Sequence, residues 1–177
     1  MKMEKSGWVV ISLLAIFVIV ISIYTKKPPI EEVLSGAIEE AEQQFQQNAK
    51  QPNEKLDSLS LYIPEGFEID DQSNSNILLT KADKVYIVFY NSLESAKSKV
   101  NYEIAREAND DEWLTSFENQ DRFGYIYIVE QADQFEIQIG VGGVKVTTLS
   151  NRDELTENIQ DMMDIAISLE YEESGGI

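Results

Sequence analysis

The sequence predicts an α+β fold: an N-terminal transmembrane helix followed by an antiparallel sheet of about six strands with helices packed on it. Three observations predict it. Gly7 to Tyr24 reads GWVVISLLAIFVIVISIY, without a charge. Two segments, near 30–49 and 155–169, place apolar residues at helical spacing. The C-terminal third alternates, with Phe135, Ile137, Ile139 and Val141 against Glu136 and Gln138, the period of a half-buried strand.

The first run spans roughly 27 Å at about 1.5 Å per residue, close to the hydrocarbon thickness of a bilayer. Trp8 and Tyr24 mark its ends, where amphipathic rings favour the headgroups. Thr25-Lys26-Lys27-Pro28-Pro29 follows without a small-x-small cleavage site, which favours a retained anchor over a removed leader. A short N-terminus with Lys2 and Lys5 is the signal-anchor arrangement, placing the N-terminus in the cytoplasm and the domain outside. A cytosolic domain tethered to the inner leaflet is the alternative. The expected division is 1–27 anchor with flanks, 28–55 amphipathic helix and linker, 56–171 α+β domain and 172–177 tail.

Pro28-Pro29 stops the first helix. Ile30, Val33, Leu34, Ala37, Ile38, Ala41 and Phe45 then form one helical stripe, able to dock on the domain or to serve as a spacer. The stretch is short for a coiled coil, and Gly36 interrupts it. Leu59 to Ile63 alternates as a strand, and Pro64-Glu65-Gly66-Phe67 is a tight turn. Asp70 to Asn76 reads as a loop, and the strands 76–80 and 85–90 as a hairpin.

Asn91 or Ser92 can cap a helix to Ala108 with Leu93, Ala96, Val100 and Ile104 on one face. After an acidic loop and Trp113-Leu114, the strand Phe123 to Gln131 is apolar on both faces and is expected centrally, covered on both sides. Gly142-Gly143 turns the next strand into Val144 to Leu149. Ser150 or Asn151 caps a last helix burying Leu155, Ile159, Met162, Met163, Ala166, Ile167 and Leu169.

Charge and composition exclude much chemistry. The chain carries 32 acidic and 14 basic residues, net −18, so phosphate backbones would be repelled and nucleic acid is excluded as a partner. There is no cysteine and no histidine. Disulfides, thiolate metal sites, the commonest general base and the usual pH switch are all absent.

Gly140-Val141-Gly142-Gly143 is no dinucleotide loop, because a strand follows where a helix is required. Oxygen ligands for a hard cation gather at Asp70, Asp71 and Asn74 and again at Asp110, Asp111 and Glu112. The first set lacks the glycine and distal glutamate of an EF-hand, and solvated loops account for both. No serine stands three residues before a lysine, so a Ser-x-x-Lys nucleophile is absent. A carboxylate pair of a hydrolase cannot be picked out in so acidic a chain. Tyr86 and Tyr90 share one strand face, as do Tyr125 and Tyr127. They offer an aromatic partner surface or, alternatively, packing beneath a helix. No catalytic residue and no cofactor is expected.

Three stretches carry a family resemblance: a strand followed by Pro64-Glu65-Gly66-Phe67, Phe89-Tyr90-Asn91 leading into a helix, and Ile165-Ala166-Ile167-Ser168-Leu169 ending the last helix. Their order resembles the PsbP-like α/β/α sandwich and related domains of membrane-anchored bacterial proteins. The resemblance implies a binding or assembly subunit rather than an enzyme and identifies no site residue. The function expected is a membrane-anchored, non-catalytic binding or assembly protein of the cell envelope, its partner another envelope protein. A calcium or small-ligand sensor is the alternative, and a carboxylate-dependent envelope hydrolase the third.

Overall fold

The computed structural model describes residues 8, 11–18, 27–108 and 113–171. The chain divides into two units, residues 1–32 and 33–177.

In the first unit, helix α1 is described over 11–18, and the Ser12 hydroxyl donates to the Trp8 carbonyl at 2.9 Å. Among the described residues no helix is long and apolar enough to cross a membrane. This corrects the transmembrane anchor expected over Gly7–Tyr24. The single-pass topology, the signal-anchor role, the membrane as partner and the extracytoplasmic placement of the domain all rested on that helix and fall with it. Trp8 is exposed on α1, and Tyr24 lies outside the described residues.

The second unit is α+β. Its strands are β1 (Glu54–Lys55), β2 (Leu59–Leu61), β3 (Phe67–Gln72), β4 (Asn76–Lys81), β5 (Lys84–Tyr90), β6 (Trp113–Glu118), β7 (Phe123–Gln131), β8 (Gln134–Val141), β9 (Val144–Ser150) and β10 (Glu170–Tyr171). The helices are α2 (Ile30–Gln46), α3 (Val100–Ala108) and α4 (Leu155–Ser168), the last preceded by a 3₁₀ turn at Arg152–Glu154. A seven-stranded antiparallel sheet runs β3-β4-β5-β9-β8-β7-β6, and a small sheet runs β1-β2-β10. The large sheet is two meanders, β3 to β5 and β6 to β9, joined where β5 pairs with β9.

One face of this sheet is covered over most of its width. Ile77, Leu79, Tyr86, Val88, Val146, Ile137, Ile139, Ile126 and Ile128 alternate onto it and are buried. Helix α4 lies over β8 and β9 and buries Leu155, Ile159, Met162, Met163 and Ala166. The stripe of α2 docks in the same layer through Leu34, Ala37, Ala41 and Phe45. Phe45 meets Phe117 at 4.8 Å between centroids, and Gly124 has no side chain because a Cβ there would stand 2.7 Å from the Phe45 ring. The Arg122 guanidinium stacks 4.9 Å from Phe45 and donates to the carbonyls of Phe45 and Gln47, closing the C-terminal end of α2. Inside the layer the Tyr86 hydroxyl donates to Asn158 Oδ1 at 2.8 Å, and Asn158 Nδ2 donates to Ser150 Oγ at 2.7 Å. Burial pushes the Tyr86 phenol up to about 12.

Several elements differ from expectation. The helix expected from Asn91 begins only at Val100. The chain leaves β5 in mid-sheet and must reach β6 at the far edge, so residues 91–99 cross the ends of β9, β8 and β7 as a loop. Asn91 uses its side chain to turn that loop, accepting from the Leu93 amide at 3.1 Å rather than capping a helix. Leu93, Val100 and Ile104 are exposed, and Asn101 and Ala105 are the buried residues of α3. Strand β3 continues to Gln72 through a register shift between Ile69 and Asp71, where a loop was expected from Asp70. Strand β7 is covered on both faces, yet stands next to the β6 edge rather than at the centre.

Candidate protein-binding surface

The second face of the sheet is only half covered. Helix α3 packs on β6 and β7, where Ala105, Tyr125 and Tyr127 form a small core with Tyr102, Leu114 and Val129 against it. Among the described residues of this unit, no helix continues this layer beyond β8 over β9, β5 and β4. Strand β5 is apolar on both faces, so Val85 and Ile87 project into the open half with 47% and 46% of their surface exposed. Leu149 on β9 is 46% exposed on the same side. The register joins them: Ile87 stands opposite Leu78 on β4 and opposite Thr147 on β9. Leu78 and Phe89, half-buried, complete an aliphatic strip across three strands.

Glu136 and Lys84, beside the strip, are both engaged. Glu136, opposite Leu149, accepts from Gln131 at 2.7 Å and Gln138 at 2.9 Å. At the turn end the strip opens into a cavity of about 330 Å³ lined by Asp83, Lys84, Val85, Gln134, Leu149 and Asn151. Lys84 Nζ lies 2.6 Å from Glu154 Oε1, and Asn151 Nδ2 donates to the other oxygen at 3.0 Å. The Lys84 and Asn151 hydrogen bonds hold the Glu154 carboxyl below its ordinary range.

The structure buries the four tyrosines expected at a partner surface. Tyr86 and Tyr90 face the α4 layer, and the Tyr90 hydroxyl donates to the Ser73 carbonyl at 2.9 Å. Tyr125 and Tyr127 lie beneath α3, with the Tyr102 ring 6.0 Å from that of Tyr125. Helix cover decides this: each tyrosine sits on the side of its strand that a helix closes. Burial raises the Tyr125 phenol well above its ordinary range, and its hydroxyl has no hydrogen-bond partner among the described residues.

Of the candidate metal ligands, Asp70 and Asp71 stand exposed on β3, and Asn74 in the turn after it. Asn74 lines a cavity of about 310 Å³ with Ser73, Gln72, Asp57, Ser58 and Tyr90. Asp110, Asp111 and Glu112 lie outside the described residues. Among the described residues no three acidic side chains are grouped to hold a metal ion.

Sequence reasoning missed the strip, though a sign of it was present. Val85, Ile87 and Phe89 alternate with Tyr86, Val88 and Tyr90, so both faces of β5 ask for cover, and the helices supply it on one. The fold and surface thus define an α+β protein whose antiparallel sheet leaves three strands open on one side. No protein-family model matches the chain, and no curated protein matches it.

Proposed function

We propose that this protein is a non-catalytic binding module that docks an amphipathic helix of a partner protein on the open half of its sheet, beside α3. The carrying observation is the strip of Val85, Ile87 and Leu149, nearly half exposed in a sheet most of whose other apolar positions are covered. A helix laid there would extend the α3 layer across β9, β5 and β4, completing the second face as α2 and α4 complete the first. Net charge selects the partner's chemistry. At −18, a second copy of the chain is repelled, whereas apolar residues flanked by lysine and arginine are attracted. The absence of histidine and cysteine supports a role without catalysis. The binding or assembly role implied by the PsbP-like resemblance points the same way.

The test is a photo-cross-linking residue at Thr147, the cross-strand neighbour of Ile87, used in cells that make the protein. The expected adduct is a different protein, joined through an apolar segment bordered by basic residues. It disappears when Val85, Ile87 and Leu149 are all replaced by serine, and it weakens with salt in extracts. Adducts only between copies of this chain, or adducts indifferent to the serine variant, would overturn the reading.

A further inference from the structure

We infer that the cavity at the turn end of the strip receives a lysine or arginine side chain of that partner, with Asp83 as its acceptor. This rests on the docking reading and names its anchor. The two walls are chemically different. Val85 and Leu149, themselves part of the strip, offer aliphatic surface to a methylene stem, while Asp83 and Gln134 offer oxygens at the rim. A long side chain with an apolar stem and a cationic head matches that order; a short or wholly apolar one leaves the rim oxygens unused.

The charges within the cavity point to the same occupant. Lys84 is neutralised by Glu154, at 2.6 Å. Asn151 is committed on both atoms of its amide, donating to Glu154 at 3.0 Å and accepting from Gln134 at 3.3 Å. Asp83 is exposed, and no hydrogen bond or ion pair engages its carboxylate among the described residues. The cavity therefore holds one uncompensated negative charge. A volume of about 330 Å³ is ample for one such side chain.

The turn fixes that charge in place. Lys81 pairs with Lys84, so Ala82 and Asp83 form a two-residue hairpin, and Ala82 adopts φ 55°, a conformation usually left to glycine. The neighbouring hairpin repeats the arrangement: Gln131 pairs with Gln134 around Ala132, at φ 54°, and Asp133. Between β8 and β9 the same place is held by Gly142, at φ 55°. The turn places Asp83 beside Val85 at the rim, and Ala82 carries the strain of a non-glycine residue at this φ.

The experiment is an amide-shift titration of the full chain with Nα-acetyl-lysine N-methylamide, and in parallel with the norleucine analogue, which has the stem without the charge. Lysine should shift Asp83, Val85, Gln134 and Leu149, and norleucine should not. Asp83→Asn, at an exposed turn, should leave the spectrum folded and weaken the lysine titration about threefold or more. Equal shifts from norleucine, lysine shifts unchanged by Asp83→Asn, or no shift at these residues would each overturn the anchor. If the anchor fails while Thr147 still cross-links through the strip, docking stands without it. If lysine binds but Thr147 gives no adduct, the cavity stands and docking falls.

Discussion

Gly140→Ala probes how tightly α3 holds the covered half of the second face. A Cβ at Gly140 would stand 2.7 Å from Tyr125 Cδ1 and 2.8 Å from Cζ, with Cε1 nearer still. Ordinary contact between such carbons begins near 3.5 Å, so the ring must retreat by well over an ångström. It has little room to do so. Tyr125 is 2% exposed, with Ala105 of α3 in the same cluster and the Tyr102 ring at 6.0 Å. The strain therefore passes to α3, a nine-residue helix with two buried residues. Overpacking of this kind costs about 2–3 kcal/mol, or roughly 5–10 °C in Tm for a domain of this size. Urea unfolding gives the energy, and hydrogen exchange shows whether α3 is where protection is lost. In a Tyr125→Ala background the same change should cost nothing or stabilise, because the ring is gone and alanine suits a strand better than glycine. A cost below about 0.5 kcal/mol in the wild-type background, or an equal cost in both backgrounds, would refute the argument.

Three further outcomes follow from the same contacts. Tyr125→Phe removes a buried hydroxyl without a partner among the described residues and should stabilise by about 1 kcal/mol in urea titrations. The serine variant of Val85, Ile87 and Leu149 gives up the half of each side chain the sheet already covers, about 1 kcal/mol per residue in stability. The half a partner would cover is similar, so binding of the cross-linked partner should fall by about 3 kcal/mol, on the order of a hundredfold. For pH, the Tyr86 phenol is an acid raised to about 12 in the fold, so above its ordinary range near pH 10 the unfolded chain loses the proton first. Stability then falls as pH rises, by about 2 kcal/mol between about pH 9 and 11.5. Lys81 adds to the loss in the same direction: burial opposes its charge, but hydrogen bonds to Asp161 and Glu157 outweigh that and raise it, and this support goes as it deprotonates above its ordinary range. Tyr86→Phe should remove the tyrosine share, and an alkaline slope in urea titrations equal to that of the wild type would contradict it.

Much of the fold was legible because period and turn chemistry agree. The stripe of α2, the strands β7 to β9, the Gly142-Gly143 turn and the buried face of α4 all stand where residue spacing puts them. What failed depends on which partner an element meets. Leu93, Val100 and Ile104 share a helical spacing, yet the crossing from β5 to β6 makes Leu93 part of a loop and turns α3 on Ala105. The sequence does not mark β6 as a strand, because Trp113, Leu114 and Phe117 do not alternate cleanly, and its ladder with β7 supplies the order. The tyrosines lie inside because helices cover their sides of the sheet. The apolar N-terminal run predicted a span that no helix among the described residues provides. The binding strip is a property of incomplete cover, and cover is tertiary.

The joining of two meanders at β5 and β9 also bears on how the chain finds its fold. Every other ladder of the large sheet links strands adjacent in sequence, and those hairpins close cheaply. The β5–β9 ladder brings Tyr86 to Thr148 and Tyr90 to Val144, pairs separated by about 60 residues, and so carries most of the loop-closure entropy. Until it forms, each meander ends in an open strand, Val88 on one side and Val146 on the other, both apolar and both able to pair with the wrong chain. The seam that makes one sheet of two is therefore the slow step of assembly and its point of greatest exposure.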